Sequence, residues 1–285
     1  MQVHLLARIL SGQDGAIWGG FLFRPDAAGN CRVYRLEELQ AAMGEEAALF
    51  GEFSLDRREE LCPHCNSVAF GREFFAPGDE FPLLYANIYN NCANAPDPRK
   101  GVTLVYRIRR EGRAFRSRLV QGVAVDFPED PCWRSPEGDV RPYGNFAIDR
   151  AAGVYYAFTM RDGDRKTRYF AFPLPRVSEG EMDGELGVPW VRLKAEAVQK
   201  RFDCPYQRFL QGACFHEGRI YTLEGFTDSP ENPPALRVVD AALGQEVLAV
   251  DFPALGLTVE PEMVDFSDGL CYYGDSDGNF YRLDF

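Results

Sequence analysis

Eight side chains of types that bind polar ligands stand at five matching places along the sequence. They are Asp14, His64, Asn66, Tyr143, Asn145, Gln211, Glu260 and Glu262. Each lies just before, or at the start of, an apolar run that reads as a strand, so a fold that gathers these strand starts also gathers the side chains. Carboxylate, amide and imidazole groups brought together in this way could hydrogen-bond a sugar or coordinate a hard cation such as Ca²⁺.

Within this set the chemical roles differ by residue type. Asn66, Asn145, Gln211 and Glu262 offer the oxygen ligands that calcium prefers, while His64 and Glu260 are candidates for a catalytic acid or base. The structural alternative carries equal weight: polar groups at strand starts also cap backbone N–H groups or hold ordered water. Both interpretations stay open at this stage.

A repeated pattern supplies the elements that would position these residues. Val33-Tyr-Arg-Leu36, Val105-Tyr-Arg-Ile108 and Phe280-Tyr-Arg-Leu283 share one four-residue pattern, and two earlier apolar runs precede each copy. Two further units, around residues 146–172 and 213–240, keep the order of runs without the Tyr-Arg pair. Five repeats of a three- or four-stranded meander predict an all-β fold, a five-bladed β-propeller.

The last repeat, from Glu260 to Phe285, has three apolar runs and no fourth strand of its own. The run from Val3 to Leu10 precedes the first repeat and has no other partner. We therefore expect the N-terminal run to pair with the final meander, because this pairing closes the ring and removes two exposed sheet edges.

The repeats predict one propeller domain over residues 1–285. Its blades cover approximately residues 11–56, 64–126, 143–193, 209–253 and 260–285, the last completed by residues 3–10. Outer strands are expected at residues 51–55, 115–125, 188–193 and 246–252. The remaining length predicts short helices at residues 37–50 and 194–202 and polar loops at residues 90–100 and 126–142.

Composition excludes several classes of partner. The formal net charge is −12, so the phosphate backbone of a nucleic acid would be repelled on average. No run approaches the 18 or more apolar residues that span a bilayer, and the first ten residues make a poor signal peptide. The eight cysteines are scattered, which favours reduced thiols in a cytoplasmic protein over a disulfide framework.

Three other motifs carry weaker signals. Cys62-Pro-His-Cys65 has the spacing of a redox motif, but it leads into a strand instead of opening a helix. Zinc bound by this motif with Cys92 would lack a second CxxC pair. Asp275-Ser-Asp-Gly278 resembles the start of a calcium loop, yet Asp-Gly is also an ordinary hairpin turn. There is no Gly-rich phosphate loop and no nucleophile elbow.

Several of these motifs recur together in known propellers. The motifs that carry the resemblance are, in order, His64-x-Asn66, Phe81-Pro-Leu-Leu-Tyr85, Asn145-Phe-Ala-Ile-Asp149, Gln211-Gly-Ala213 and Glu260-Pro-Glu262. With these motifs the chain resembles uncharacterised five-bladed β-propeller proteins of gut bacteria. It is similar, more distantly, to the phage-associated teichoic acid biosynthesis protein C family. The resemblance spans roughly residues 60–285 and implies a bacterial five-bladed fold, but little about activity. Cys65 departs from the family pattern.

Three functions follow from these observations. The favoured hypothesis is a binding propeller that holds a glycan or other small polar ligand at the channel mouth, helped by Trp133, Tyr143 and Tyr206. It predicts no perturbed pKa at Glu260, Glu262 or His64. The second is a calcium-dependent hydrolase of a phosphoester, lactone or glycosidic bond at the same place. The third is a scaffold for protein interactions.

Overall fold

The computed structural model describes residues 1–88, 101–126, 140–161, 165–205 and 209–285. In these ranges the chain forms five small sheets, the five blades of a β-propeller. Consecutive strands of each blade pair antiparallel, as the repeated meanders predict. The predicted fold class is confirmed.

Each blade runs from an inner strand beside the channel to an outer strand at the rim. The first blade contains β2 (Ala16–Trp18), β3 (Phe21–Pro25), β4 (Asn30–Arg35) and β5 (Gly51–Ser54). The second contains β6 (Val68–Phe70), β7 (Leu84–Asn87), β8 (Val102–Glu111) and β9 (Ala114–Val125). The third contains β10 (Val140–Asp149), β11 (Val154–Arg161), β12 (Lys166–Pro173) and β15 (Lys200–Pro205). The fourth contains β16 (Leu210–His216), β17 (Arg219–Glu224), β18 (Ala235–Asp240) and β19 (Gln245–Asp251). The fifth contains β20 (Pro261–Ser267), β21 (Leu270–Asp275), β22 (Asn279–Asp284) and β1 (Gln2–Arg8).

The two ends of the chain close the ring in the fifth blade. Strand β1 pairs antiparallel with β22, with Gln2 opposite Asp284 and Arg8 opposite Asn279. The buried guanidinium of Arg24, on the first blade, reinforces this junction by donating to the carbonyl oxygen of Asp275 at 2.5 Å. The predicted closure is therefore confirmed.

One predicted outer strand belongs to a different sheet. Strand β14 (Pro189–Leu193), expected as the fourth strand of the third blade, instead pairs parallel with β9 of the second blade. Its partner on the far side is the short strand β13 (Glu181–Met182). The indole of Trp190 lies over Gly122, where a Cβ would come within 2.3 Å of the ring. This glycine leaves room for β14 to approach β9. The strand predicted over residues 188–193 is confirmed, but its assignment to the third blade is wrong.

The true fourth strand of the third blade, β15, was predicted as part of a helix. Its sequence Lys-Arg-Phe-Asp-Cys-Pro has only two alternating apolar residues, Phe202 and Cys204, which is a short signal for a strand. It is held by specific pairs instead: Arg168 donates to Asp203 at 2.7 and 2.8 Å, and the Tyr169 ring stacks on Phe202 with centroids 4.8 Å apart.

Regular helices are few in the described ranges. Helix α1 (Leu36–Ala41) covers only the start of the helix predicted over residues 37–50, and α2 (Arg58–Leu61) was not predicted. A single 3₁₀ turn, Ala195–Ala197, is all that forms of the helix predicted over residues 194–202. Another 3₁₀ turn spans Pro253–Leu255. The predicted loops at residues 90–100 and 126–142 fall largely outside the described residues.

The apolar core lies between the blades. Five clusters of buried residues each join one blade to the next, and the fifth joins the closing blade to the first. Aromatic pairs bridge these seams: Phe23 meets Phe81 edge to face at 5.1 Å, and Tyr156 stacks on Phe215 at 5.5 Å. Burial of both faces of each blade fixes the inner strands rigidly around the channel.

No helix in the described ranges is long and apolar enough to span a membrane.

Candidate functional site

The five inner strands begin at one end of the central channel, which we call the N-terminal mouth; they end at the C-terminal mouth. Hydrogen bonds between blades establish this arrangement. Asp14, ahead of β2, accepts from the backbone N–H of Val68 at 2.8 Å, and Asn66, ahead of β6, donates to Gln211 of β16 at 2.9 Å. Residues from strand starts thus meet at the channel, as their positions in the repeats predict.

Three side-chain amides form a directed chain of hydrogen bonds at this mouth. Asn145 Nδ2 donates to Asn66 Oδ1 at 2.8 Å, and Asn66 Nδ2 donates to Gln211 Oε1 at 2.9 Å. Gln211 Nε2 then donates to Glu260 Oε1 at 2.6 Å. The three amides are buried, whereas Glu260 is half-buried. Because each amide donates to the next acceptor, the chain ends on a carboxylate oriented at the mouth.

Asp14 has a structural role in the same layer. One carboxylate oxygen accepts the Val68 N–H at 2.8 Å and the Ala213 N–H at 3.4 Å, so this side chain ties together the first, second and fourth blades. Burial raises the pKa of Asp14 well above its usual range. For this residue the backbone-capping interpretation is the one that the contacts support.

Glu262 is a buried carboxyl with one unsatisfied oxygen. Its Oε1 accepts from Gln13 Nε2 at 3.3 Å, while its Oε2 has no hydrogen-bond partner. Burial first, and the neighbouring Glu260 second, raise its pKa to about 8, although the Arg24 guanidinium opposes this shift. At neutral pH Glu262 is therefore predominantly protonated.

The pKa values of the other two candidates for acid–base chemistry are also shifted. Burial raises the pKa of Glu260, and the hydrogen bond from Gln211 opposes that rise. Burial lowers the pKa of His64, which is half-buried two residues before Asn66. The binding hypothesis predicts no general base with a perturbed pKa among Glu260, Glu262 and His64. The shifts at all three groups contradict that prediction, and burial is the first cause of each.

The aromatic residues proposed for this mouth from the sequence are not placed by the structure. Trp133 and Tyr206 lie outside the described residues, as does the side chain of Tyr143. A different aromatic pair does lie at the mouth. Phe209 and Phe226 are half-buried, with ring centroids 5.3 Å apart.

The Phe pair is tied to the amide chain through the backbone. Gly225, directly before Phe226, accepts from Gln211 Nε2 at 3.3 Å, and Thr227, directly after it, accepts from the backbone N–H of Glu260 at 2.9 Å. The sequence did not indicate Phe226, because the loop that follows β17 shows no periodicity. Phe209 directly precedes β16 and was not singled out either. The one available signal was that Phe209 stands two residues before Gln211.

A metal centre finds no further support. Within the described ranges, no three His, Cys, Asp or Glu side chains are grouped so as to hold a metal ion. The calcium set predicted from sequence, with its three amides and Glu262, is not tested by that observation and stays a prediction. Two of its amide oxygens, Asn66 Oδ1 and Gln211 Oε1, already accept hydrogen bonds.

The segment from Asp275 is a hairpin turn. Asp275 Oδ1 accepts the backbone N–H groups of Asp277 and Asn279 at 3.1 and 2.9 Å, and its Oδ2 accepts from the Asn279 side chain. These contacts connect β21 to β22. Its carboxylate therefore serves the turn that the sequence analysis kept as the alternative to a calcium loop.

The Cys62-Pro-His-Cys65 segment lacks the environment of a redox motif. Cys62 is exposed, whereas Cys65 is buried in the seam between the first two blades. Burial raises the pKa of Cys65 well above its usual range, the opposite of what an attacking thiolate requires. Cys65 therefore packs in the core. A zinc site that includes Cys92 stays a prediction, because Cys92 lies outside the described residues.

Comparison with solved structures finds distant similarities at 9–11% sequence identity. The chain is similar over its full length to the structure of a glutaminyl cyclase from Myxococcus xanthus, with 11% identity, a TM-score of 0.48 and 96% of that chain covered. It is also similar, over 92% of its length, to the hydrazine synthase of Kuenenia stuttgartiensis, with 11% identity and a TM-score of 0.42, covering 61% of that chain. A third similar structure is Sqt1 of Saccharomyces cerevisiae, with 9% identity and a TM-score of 0.36 over 93% of this chain and 55% of that one.

No family model matches the chain, and no curated protein matches it. The resemblance to propellers of gut bacteria and to the teichoic acid biosynthesis protein C family therefore stays a prediction. What stands is a five-bladed β-propeller with a polar, hydrogen-bonded layer at one mouth of its channel.

Proposed function

We propose that this protein binds a small polar ligand of the carbohydrate type at the N-terminal mouth. The observation that carries the proposal is the chain of hydrogen bonds from Asn145 through Asn66 and Gln211 to Glu260. The three amides use their hydrogen bonds on one another inside the channel. The carboxylate at the end of the chain is only half-buried, so it is the member that a ligand hydroxyl would meet.

The Phe pair supplies the second part of such a site. A sugar presents an apolar face of C–H groups as well as hydroxyls, and aromatic rings beside a carboxylate match both parts. Phe226 lies one residue from Thr227, whose hydroxyl oxygen accepts the Glu260 backbone N–H. Ring and carboxylate are therefore held by the same backbone contact. Our proposal assigns Glu260 and Phe226 to direct contact, and Asn66, Asn145 and Gln211 to positioning.

A glycan array followed by calorimetry on any hit tests this proposal. We expect Glu260→Gln and Phe226→Ala each to weaken binding by about tenfold or more, since each removes one half of the site. Glu196→Gln and Phe285→Ala are matched controls, because both side chains are exposed and belong to other parts of the fold. Equal binding by wild type and both site variants would contradict the proposal.

A second candidate function, hydrolysis by acid–base catalysis, is favoured by one specific observation. Burial raises the pKa of Glu262 to about 8, and burial also raises the pKa of the neighbouring Glu260, so two carboxyl groups with shifted pKa values lie near each other at this mouth. Paired carboxyls of this kind serve as acid and base in hydrolases. His64 is the other candidate base.

Chromogenic phosphoesters, lactones and glycosides, assayed across pH, test the hydrolase. Turnover that is lost in both Glu260→Gln and Glu262→Gln would support it; turnover unchanged in both would exclude these two groups. The calcium version requires ligation by Asn66, Asn145, Gln211 and Glu262. It predicts that thermal unfolding shifts downward after EDTA treatment and recovers with calcium.

For location and partners we propose a cytoplasmic protein without a nucleic acid partner. Its buried cysteines Cys31, Cys65, Cys204, Cys214 and Cys271 are free thiols, which suits a reducing compartment. The net charge of −12 opposes binding to a phosphate backbone. Cell fractionation with a reporter-tagged chain would check the location.

A further inference from the structure

The C-terminal mouth, at the opposite end of the channel, carries a cluster that the proposed function does not use. It is formed by residues at the ends of the inner strands. Trp18 ends β2, Phe70 ends β6, Arg150 follows β10 and His216 ends β16. Phe266 lies one residue before the end of β20. All five blades thus contribute to this mouth.

Arg150 is the central member of this cluster. Its guanidinium lies over the Trp18 ring, 5.3 Å from the centroid, so a residue of the third blade reaches one of the first. It also acts electrostatically on His216 of the fourth blade and on Asp265 of the fifth. These interactions place one positive charge where the ends of four blades come together.

The guanidinium of Arg150 lacks an acceptor. The side chain is only partly exposed, yet no described residue accepts a hydrogen bond from it or forms an ion pair with it. Arginine offers five N–H donors in a planar fork, and no Arg150 nitrogen is among the buried unpaired atoms of the described residues, so these donors reach solvent and are available to an anion. The position of the guanidinium over the Trp18 ring is a cation–π contact, which leaves the N–H donors available to an acceptor.

Asp265, a carboxyl group on which Arg150 acts electrostatically, does not accept a hydrogen bond from the guanidinium. Asp265 Oδ2 accepts the backbone N–H of Ile17 at 2.7 Å, and its Oδ1 accepts the N–H of Phe266 at 2.8 Å. Asp265 therefore joins the fifth blade to the first and balances part of the Arg150 charge through space. It makes no ion pair with the guanidinium within the described chain.

Flat side chains form the surroundings of Arg150. The imidazole of His216 stacks on Phe266 with centroids 3.9 Å apart and an interplanar angle of 5°. Phe70 and the 42% exposed Phe74 lie against Trp18, with centroids 6.1 and 6.2 Å away. Trp18, Phe74 and His216 are partly exposed, whereas Phe70 and Phe266 are buried beneath them. A positively charged fork beside such flat rings is the chemistry that receives an oxyanion attached to a small organic molecule.

We propose that the C-terminal mouth is a second binding site, for the carboxylate or phosphate group of a small organic anion, with Arg150 as its anchor. The oxyanion accepts from the guanidinium edge, and Trp18 holds the guanidinium plane in place. The site is separate from the N-terminal mouth, because the two occupy opposite ends of the same inner strands. Loss of binding at one mouth therefore does not entail loss at the other.

Two probes test the proposal at constant ionic strength: inorganic phosphate and benzoate. Binding is followed by calorimetry and by tryptophan fluorescence, with Trp18 as the reporter in a Trp133→Phe, Trp190→Phe background. We expect saturable binding of at least one probe to the wild-type chain, accompanied by a change in Trp18 emission. Phosphate alone would identify a phosphate-bearing ligand, and benzoate alone a carboxylate.

The decisive variant is Arg150→Gln, for which we expect at least about tenfold weaker binding, since a charge-assisted hydrogen bond is lost. Arg109→Gln makes the same charge change on an exposed strand position and should bind as the wild type does. Arg150→Lys keeps the charge without the fork and should bind more weakly than wild type; it decides the question if Arg150→Gln fails to fold. No saturable binding of either probe to the wild type, or equal binding by wild type and the Arg150 variants, would overturn the proposal.

Discussion

Gln211 Nε2 lies 2.6 Å from Glu260 Oε1, and this hydrogen bond connects the buried layer of the channel to the N-terminal mouth. Since Gln211 Oε1 accepts from Asn66 Nδ2, the orientation of the Gln211 amide is fixed at both ends. A carboxylate held in this way is pre-organised for a ligand, which spares the ligand the cost of ordering it.

Replacing Gln211 should destabilise the fold as well as the site. Gln211→Ala leaves the buried Asn66 Nδ2 without its acceptor, so we expect a loss of about 1–3 kcal/mol in the free energy of unfolding. Urea denaturation followed by circular dichroism measures it. Gln199→Ala, at an exposed position, is the matched control and should change stability little. A Gln211→Ala protein as stable as this control would mean that the amide chain does not contribute to folding.

The raised pKa of Glu262 predicts how stability depends on pH. The pKa is about 8 in the folded protein and 4.5 in the reference state, so between these values the folded chain binds more protons than the unfolded chain. The contribution of Glu262 is therefore fully present below pH 4.5 and declines as pH rises toward 8.

Glu262→Gln removes this titration while keeping the acceptor for Gln13. Between pH 5 and pH 8 we expect the wild type to lose stability relative to the variant by an amount on the order of a few kcal/mol. Urea unfolding at a series of pH values gives the difference. The free energy of unfolding of the Glu196→Gln control should depend on pH as that of the wild type does. The same pH dependence in Glu262→Gln would contradict the raised pKa of Glu262.

Gly212 lies at a close approach between the fourth and fifth blades. A Cβ at this position would lie 2.1 Å from the carbonyl oxygen of Glu262 and 2.8 Å from Asp14 Oδ1. Gly212→Ala should therefore cost about 1–3 kcal/mol or prevent folding, because the fourth and fifth blades must move apart.

Gly184 offers a matched control for Gly212, since a Cβ there would meet open space and its φ is not positive. Thermal unfolding of Gly212→Ala and Gly184→Ala should separate the two by several degrees. Equal midpoints would show that the channel wall relaxes without cost.

The two cysteines of Cys62-Pro-His-Cys65 should differ in reactivity. Iodoacetamide should modify the exposed Cys62 in the native protein and reach the buried Cys65 only after denaturation. Mass spectrometry of digested Cys62→Ser and Cys65→Ser variants tells the two sites apart. Native labelling of Cys65 at the rate of Cys62 would mean that the seam between the first two blades opens readily.

The fold was predictable because its signals are local. Alternation of Tyr281, Leu283 and Phe285 with polar neighbours marks a half-buried strand wherever the chain then goes. Five copies of the same meander determine the number of blades, and the three apolar runs of the last copy left the run from Val3 as their partner. These inferences required no knowledge of distant contacts.

In the third blade, local sequence signals did not assign two strands, β14 and β15, correctly. The apolar residues of β14 predict an outer strand, but the approach of Trp190 to Gly122 gives it to the second blade. The alternation in β15 covers only Phe202 and Cys204, so the strand becomes recognisable through its pairs, such as Arg168 with Asp203. Partner choice is a property of two segments, so neither segment reveals it alone.

By itself, the sequence determined the closed five-bladed ring and the strand starts at which polar side chains gather. Only the tertiary structure decided what those side chains do: Asp14 caps backbone N–H groups, the amides form one directed chain, and Glu262 is protonated at neutral pH. It also revealed Arg150 against Trp18 at the other mouth. The physical reason is that periodicity follows from the order of residues, whereas desolvation and hydrogen-bond direction depend on neighbours far apart in the chain.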